Sequence, residues 1–332
     1  MICTRISQPL PTWKFLVLSP SRQRFRRTLF PGNPITPSIP SSRHRPLDFT
    51  GAATRALPMP CLPIPLPLQP GPWLPEIDAA WLRQHRSHGV THLLQRWRAI
   101  ARSARLQLTL LHETAGYPVY FLTSRRVSAR PLYFSAGVHG DETGAVMGLL
   151  EWAERSTAWL RQADVILVPL FNPAGLALNT RGDANGADLN RCFDHPDHPH
   201  IQGWLRAMAP YQPRTAVCLH EDYDAQGLYA YELNRHPRHQ LAHHCLELSD
   251  PILPRETRRN IEGRRARQGI IRVRRIPLFE NLPEALVLYQ NSTPRALTFE
   301  TPSECCLTVR TRAQARLVQA ICDEDATRPY DR

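Results

Sequence analysis

Two hydrophobic rhythms alternate along the chain between residues 75 and 324. From Pro75 to about Arg105, Trp81, Leu82, Leu93, Leu94, Trp97 and Ile100 recur at helical spacing with arginines on the opposite face, which predicts an amphipathic helix. Short apolar runs at 107–112 and 118–123 flank Gly116 and predict a hairpin. Buried strands are predicted at 131–138, 164–171, 215–219, 228–233 and 296–299, where Val, Ile, Leu and aromatic residues cluster. A helix over about 143–161 carries Val146, Leu149, Leu150, Trp152 and Trp159, and a final amphipathic helix covers about 311–324. No internal repeat interrupts the series.

Strands spaced by helices imply an α/β domain whose central sheet is mixed, mostly parallel, and flanked by helices on both faces. In such sheets ligands bind beyond the carboxyl ends of the strands. Four polar residues, His139, Asn172, His220 and Glu300, each follow an apolar run directly, which points to one shared site.

Composition adds a boundary. Fifteen of the 32 prolines fall before residue 73, mixed with Ser and Arg. Such a segment cannot bury enough apolar surface to offset its ordering entropy, so 1–72 reads as a disordered leader. A targeting presequence would share its Arg-rich, acid-poor character, but Pro9, Pro11 and Pro20 break an amphipathic helix there. A start codon placed too far upstream, with Met59 the true start, gives the same composition and is the preferred reading. The catalytic domain is then expected at 73–325, with a tail at 326–332.

Charge changes the picture less than its total suggests. Residues 1–60 hold eight Arg and Lys14 against Asp48, so they account for 8 of the net +12 and leave +4 for the rest. No aromatic-interleaved basic stripe or reading motif is present, so nucleic acid is not an expected partner. No 18-residue apolar run exists, so no membrane span is expected either. The eight cysteines form no Cys-x-x-Cys pair, and without a secretory signal they read as reduced thiols of a cytoplasmic protein.

The chemistry concentrates in His139-Gly140-Asp141-Glu142, directly after the strand at 131–138. A turn built on Gly137 and Gly140 lets the imidazole and the carboxylate face one point. With a later histidine, for which His220 is the candidate, they make a three-ligand zinc set with a fourth position open for water. Glu221 is a poor substitute for His220, because strand alternation sends it to the opposite face. Asp188 and Asp222 are candidates to orient the imidazoles, and Glu300 is a candidate general base.

After the strand at 164–171 come Asn172-Pro173-Ala174-Gly175, Arg181, and Asp188-Leu189-Asn190-Arg191. Together with His139-x-x-Glu142, His220 and Glu300, these segments resemble the zinc metallocarboxypeptidases and the wider superfamily of aspartoacylase and succinylglutamate desuccinylase. The resemblance spans residues 131–303 in order. It implies one zinc ion on His139, Glu142 and His220, with Glu300 as general base and acid. It also implies that Arg181 polarises the scissile carbonyl and that Asn190 and Arg191 grip a terminal carboxylate. A guanidinium fork suits that grip. An Asp188–Arg191 ion pair capping the loop is the bland alternative. The family's substrate-capping tyrosine finds only Tyr289, eleven residues before Glu300. The 81 residues from His139 to His220 are fewer than in digestive carboxypeptidases and are similar to compact murein-peptide amidases and the acylase branch.

The resemblance implies a zinc carboxypeptidase acting on peptides with a free C-terminal carboxylate, murein peptides among them. The alternatives are a zinc N-acyl amino acid deacylase and a catalytically silent binding protein. Two further clusters are read as solvated surface: His195-Pro196-Asp197-His198-Pro199-His200, and the nine arginines between Arg255 and Arg275. The second, if it borders the site, would attract acidic substrates.

Overall fold

The strand rhythm assembles into one eight-stranded sheet in the computed structural model, which describes residues 88–327 except 237–239, 275 and 277–280. The leader at 1–72, the first part of the helix predicted from Pro75, and residues 328–332 of the tail lie outside the described residues. Helix α1 (Val90–Ala104) buries Val90, Leu93, Leu94, Trp97, Ile100, Ala101 and Ala104, the stripe its periodicity demands. Strands β1 (Gln107–Thr114) and β2 (Tyr117–Thr123) form the expected hairpin. Ala115 and Gly116 supply the positive φ values, 49° and 77°, of its tight loop.

Strand β3 (Leu132–Ala136) leads to α2 (Thr143–Arg155), and α3 (Thr157–Leu160) follows. The single helix predicted over 143–161 is therefore two, because Ser156 leaves helical geometry at φ −103°, ψ 18°. Next come β4 (Val165–Val168), α4 (Pro173–Leu178), a 3-10 turn at Leu189–Arg191, α5 (Pro199–Met208) and β5 (Thr215–Asp222). Beyond these lie β6 (Tyr229–Asn234), α6 (Leu241–Ser249), a small hairpin of β7 (Asn260–Ile261) and β8 (Arg264–Arg265), and β9 (Ile270–Arg272). Helix α7 (Glu284–Gln290), β10 (Arg295–Pro302) and α8 (Leu307–Thr327) complete the order.

The sheet order is β1-β2-β4-β3-β5-β10-β6-β9. Its centre, β4-β3-β5-β10, is parallel, while β1, β2 and β6 join antiparallel, so the sheet is mixed as expected. Side-chain alternation divides the core. Leu132 and Phe134 of β3, with Val217 and Leu219 of β5, pack against α1, α2, α6 and α8. Tyr133, Ala216 and Cys218 face α5 and α7 on the other side.

Strands β5 and β10 run further than their apolar runs suggest. Their register continues through Glu300↔His220, Thr301↔Glu221 and Pro302↔Asp222. A hydrophobicity pattern ends at the last apolar side chain, but the backbone ladder does not require one. His220 and Glu300 thus sit within strands rather than just after them, both on the α7 face. No helix among the described residues is long and apolar enough to cross a membrane.

Candidate active site

The turn that follows β3 is built by two glycines used differently. Gly137 takes φ 67°, which side-chain-bearing residues rarely adopt. Gly140 has an ordinary φ, but a Cβ there would overlap the backbone of Gly175. The Asn172-Pro173-x-Gly175 motif explains that approach. Asn172 caps α4, accepting from Gly175 N at 2.9 Å, and its Nδ2 donates to Gly182 O at 2.9 Å. Asn172 therefore braces the loop behind the site and does not line the cavity, contrary to the reading that grouped it with His139, His220 and Glu300.

His139, Glu142 and His220 are 2%, 3% and 3% exposed, and one ligand atom from each lies within 4.8 Å of the others. Glu142 is the N-cap residue of α2, and both its oxygens face imidazole Nδ1 atoms. Oε1 meets His139 Nδ1, and Oε2 lies 3.0 Å from His220 Nδ1. No aligned N–H satisfies that buried Oε2. Two imidazole nitrogens around a buried, unsatisfied carboxylate oxygen fit a zinc ion. Burial lowers His139, but the Glu142 carboxylate and the hydrogen bond to Asp188 outweigh it and hold the imidazole at about 9. Burial likewise raises Glu142, yet the charges of His220 and His139 bring it down to about 2. His220 is raised, Glu142 overcoming its desolvation.

Asp188 ties the cluster to the loop that carries the arginines. Its Oδ1 is 3.1 Å from His139 Nε2 and accepts from Asn190 N at 3.0 Å, while Oδ2 accepts from Arg181 Nε at 3.0 Å. The capping ion pair considered for Asp188 thus forms with Arg181. Arg191 instead bonds Asn190 O at 2.9 Å and stays exposed at the cavity. Asp222 orients no imidazole: it accepts from Tyr229 OH at 3.0 Å and caps Asp224 N at 2.9 Å.

Glu300 stands across from His220 on β10 and lines the same cavity of about 470 Å³. Loss of water raises its carboxyl well above the usual range, His220 opposing the shift and Glu142 adding to it. Glu221 points to the other face as alternation predicts, bonding Gly144 N at 2.9 Å, Thr301 Oγ1 at 3.1 Å and Arg310 Nη1 at 2.6 Å. His139, Glu142, Arg181, Asn190, Arg191, His220 and Glu300 all line the cavity. Tyr289 does not; its ring packs under Arg235 at the end of α7. The cavity's tyrosines are Tyr223 and Tyr231, and Tyr231 OH donates to Glu262 of the β7–β8 turn. Tyr231, Glu262 and Arg264 carry no sequence signal for this position, because β6 and the hairpin meet only through the fold.

Of the arginine-rich stretch, Arg259, Arg264, Arg265, Arg267, Arg272 and Arg274 are exposed, as a solvated face requires. Arg255 pairs with Asp250, Arg258 with Glu256 and Arg272 with Glu232, while Arg264 reaches the cavity. The histidine stretch departs from expectation. His195 is exposed, but His200 is 3% exposed, and burial lowers it to about 4, with His112 and His198 adding to the shift.

Residues 128–241 match the succinylglutamate desuccinylase/aspartoacylase catalytic domain. Over 107 residues, 32% of this chain, the sequence is 37% identical to murein peptide amidase A of Escherichia coli K12. That match spans 43% of the relative, so the chain covers under half of its length. A candidate metallopeptidase from Shewanella denitrificans superposes with a TM-score of 0.65 at 17% identity, covering 74% of this chain and 92% of that one. A metallo-carboxypeptidase from Pseudomonas aeruginosa, in complex with (2-guanidinoethylmercapto)succinic acid, gives 0.52 at 19% identity, covering 70% and 68%. The fold is that of the metallocarboxypeptidases. The segment matching the desuccinylase/aspartoacylase domain includes His139, Glu142, Arg181, Asn190, Arg191 and His220, and ends before Glu300. The superfamily resemblance read from the motifs therefore holds in sequence over that segment and in fold over most of the described residues.

Proposed function

We propose that the chain is a zinc-dependent peptidase that hydrolyses the bond before a C-terminal residue carrying a free carboxylate, with murein peptides as the substrate class. The observation that carries this reading is the convergence of His139, Glu142 and His220 beside a register-paired Glu300, with Arg181 and Arg191 on the same cavity. His139, Glu142 and His220 would hold the zinc, which would supply Lewis-acid polarisation and make an attacking water more acidic.

The chain's own residues do the rest. Glu300 takes the water's proton and delivers it to the leaving amine. Arg181 is held through Nε by Asp188 and its Nη1 lies 3.9 Å from Glu142 Oε1, which sets its guanidinium beside the ligand cluster to steady the oxyanion. Arg191, exposed at the cavity, and Asn190 receive the substrate carboxylate, where a planar guanidinium bonds both oxygens. The likeness to murein peptide amidase A over 107 residues supports the murein class. A cytoplasmic site of action accompanies this reading.

The match at 128–241 favours a second reading, a deacylase that removes an acyl group such as succinyl from an amino acid. Both readings use the same metal and the same base. Zinc-loaded protein assayed on a hippuryl-type peptide, muramyl tripeptide and N-succinyl-glutamate, with and without chelator, separates them. Chelator-sensitive release of the C-terminal residue is the expected result. Cleavage confined to N-succinyl-glutamate transfers the site to the deacylase reading, and no cleavage at all removes both.

A further inference from the structure

A second group of metal-ligating side chains lies outside the cavity. Asp183 sits two residues after Arg181, on the same loop, and meets His198 and His200 at the start of α5. One ligand atom from each of the three lies within 4.8 Å of the others. His198 is the N-cap residue of α5, and Pro199 presets the first turn, so two imidazoles leave the helix start close together.

The polar atoms of this group are half accounted for. Asp183 Oδ1 accepts from Asn185 N at 2.8 Å and Ala187 N at 2.9 Å. Its Oδ2 faces His198 Nε2 at 3.5 Å, beyond the usual hydrogen-bond length. His200 is 3% exposed, and its Nε2 is buried with no hydrogen-bond partner, as is His198 Nδ1. Buried polar atoms are nearly always paired, so an orphaned imidazole nitrogen beside a carboxylate needs an account. His112 of β1 closes the group, its ring centroid 4.6 Å from that of His200.

We propose that Asp183, His198 and His200 bind a second divalent cation of the zinc class, distinct from the ion of the cavity. Imidazole and carboxylate are borderline ligands that suit zinc. Ligand atoms around a tetrahedral zinc lie about 3.3 Å apart, given bonds of ~2.0 Å. The Asp183–His198 separation of 3.5 Å already comes near that spacing, and a His200 ring nitrogen lies within 4.8 Å of both. The ion's role is positional. It ties the loop bearing Arg181, Asp188, Asn190 and Arg191 to α5, so that the arginines of the cavity are held from behind.

The test counts metal in the full-length protein, loaded with zinc and dialysed into metal-free buffer, by plasma mass spectrometry. Wild type should hold one zinc per chain more than His200→Ala or Asp183→Asn. His220→Ala should lose the other ion and keep this one. Equal zinc in wild type and both cluster variants overturns the site. Loss at His200 and Asp183 without loss at His220 keeps it while removing the cavity ion, so the two readings fail separately. Should His200→Ala disturb α5, cobalt(II) titrated into His220→Ala provides a second reading. A visible absorption band that disappears when His198→Gln is added assigns the ion to this cluster. No cobalt binding by His220→Ala overturns the proposal.

Discussion

His220 and Glu300 are register partners on the adjacent parallel strands β5 and β10, with both side chains on the α7 face of the sheet. Neighbouring strands lie about 4.8 Å apart, so the proposed ligand and the proposed proton acceptor, held this way, need no flexible loop to stay in place. Glu300→Gln keeps the shape and removes the proposed base. The expected outcome is a loss in kcat of about 10²–10⁴-fold with zinc content unchanged. Steady-state kinetics beside metal analysis check it, and undiminished turnover would remove Glu300 from the mechanism.

Asp188 divides its carboxylate between His139 Nε2 and Arg181 Nε. Asp188→Asn keeps the volume but weakens both links at once. Partners behind metal-bound histidines typically matter by about 10–100-fold in metal affinity. Zinc should bind more weakly by that order, and kcat should fall even at saturating zinc because Arg181 loses its anchor. Competition with a chromogenic chelator gives the first quantity, and kinetics at saturating metal give the second. A variant that regains full kcat once zinc saturates would show that Arg181 needs no such anchor.

Arg191 pairs with no carboxylate of its own loop and is exposed at the cavity. Replacing its fork by a point charge tests what it receives. Arg191→Lys should raise KM about tenfold for a substrate with a free terminal carboxylate, a loss of ~1.4 kcal/mol for a broken bidentate contact. The same variant should leave an amidated analogue unaffected. Equal effects on both substrates would assign Arg191 a role in shaping the loop.

Much of this arrangement was legible before the fold was known. Central strands rich in Val, Ile and Leu announce themselves, and His139, His220 and Glu300 stand at the ends of apolar runs, with Glu142 three residues beyond His139. Other parts were hidden for physical reasons. Tyr231 meets Glu262 across 31 residues, through a hairpin whose two-residue strands have no readable periodicity. Asn172 follows an apolar run as His139 does, but its side chain is consumed capping α4. His200 looked solvated because prolines surround it, yet Pro199 begins a helix and turns that imidazole inward. Tyr289 was drawn in by its position before Glu300, although the end of α7 places its ring under Arg235.

The contact between Gly140 and Gly175 joins the ligand turn to the loop brace. Gly140→Ala places a methyl group against backbone that cannot rotate away, and overpacking of this kind costs about 1–3 kcal/mol. The two turns must separate, carrying His139 off its position. A lower Tm together with weaker zinc binding is expected, measured by calorimetry and chelator competition. An unchanged Tm with intact zinc affinity would mean that the two turns are not held in close contact.

Zinc uptake itself should depend on pH in a defined direction. His139 is held at about 9, so in the metal-free cluster its imidazole carries a proton at neutral pH, and His220 is shifted in the same direction by Glu142. Ligand imidazoles must be neutral, and zinc has to displace that proton. Apparent affinity therefore rises as pH climbs toward 9, by about tenfold per unit for each proton displaced. The metal-free protein shows the opposite trend. A group raised from 6.5 to about 9 stabilises the fold fully below pH 6.5, and that contribution is lost as pH rises through 9. Calorimetric titration of zinc in buffers of different ionisation heat reads the protons released directly. Heats that do not vary with buffer would show that the imidazoles are already neutral, and Asp188→Asn, which removes one of the contacts raising His139, should reduce the number released.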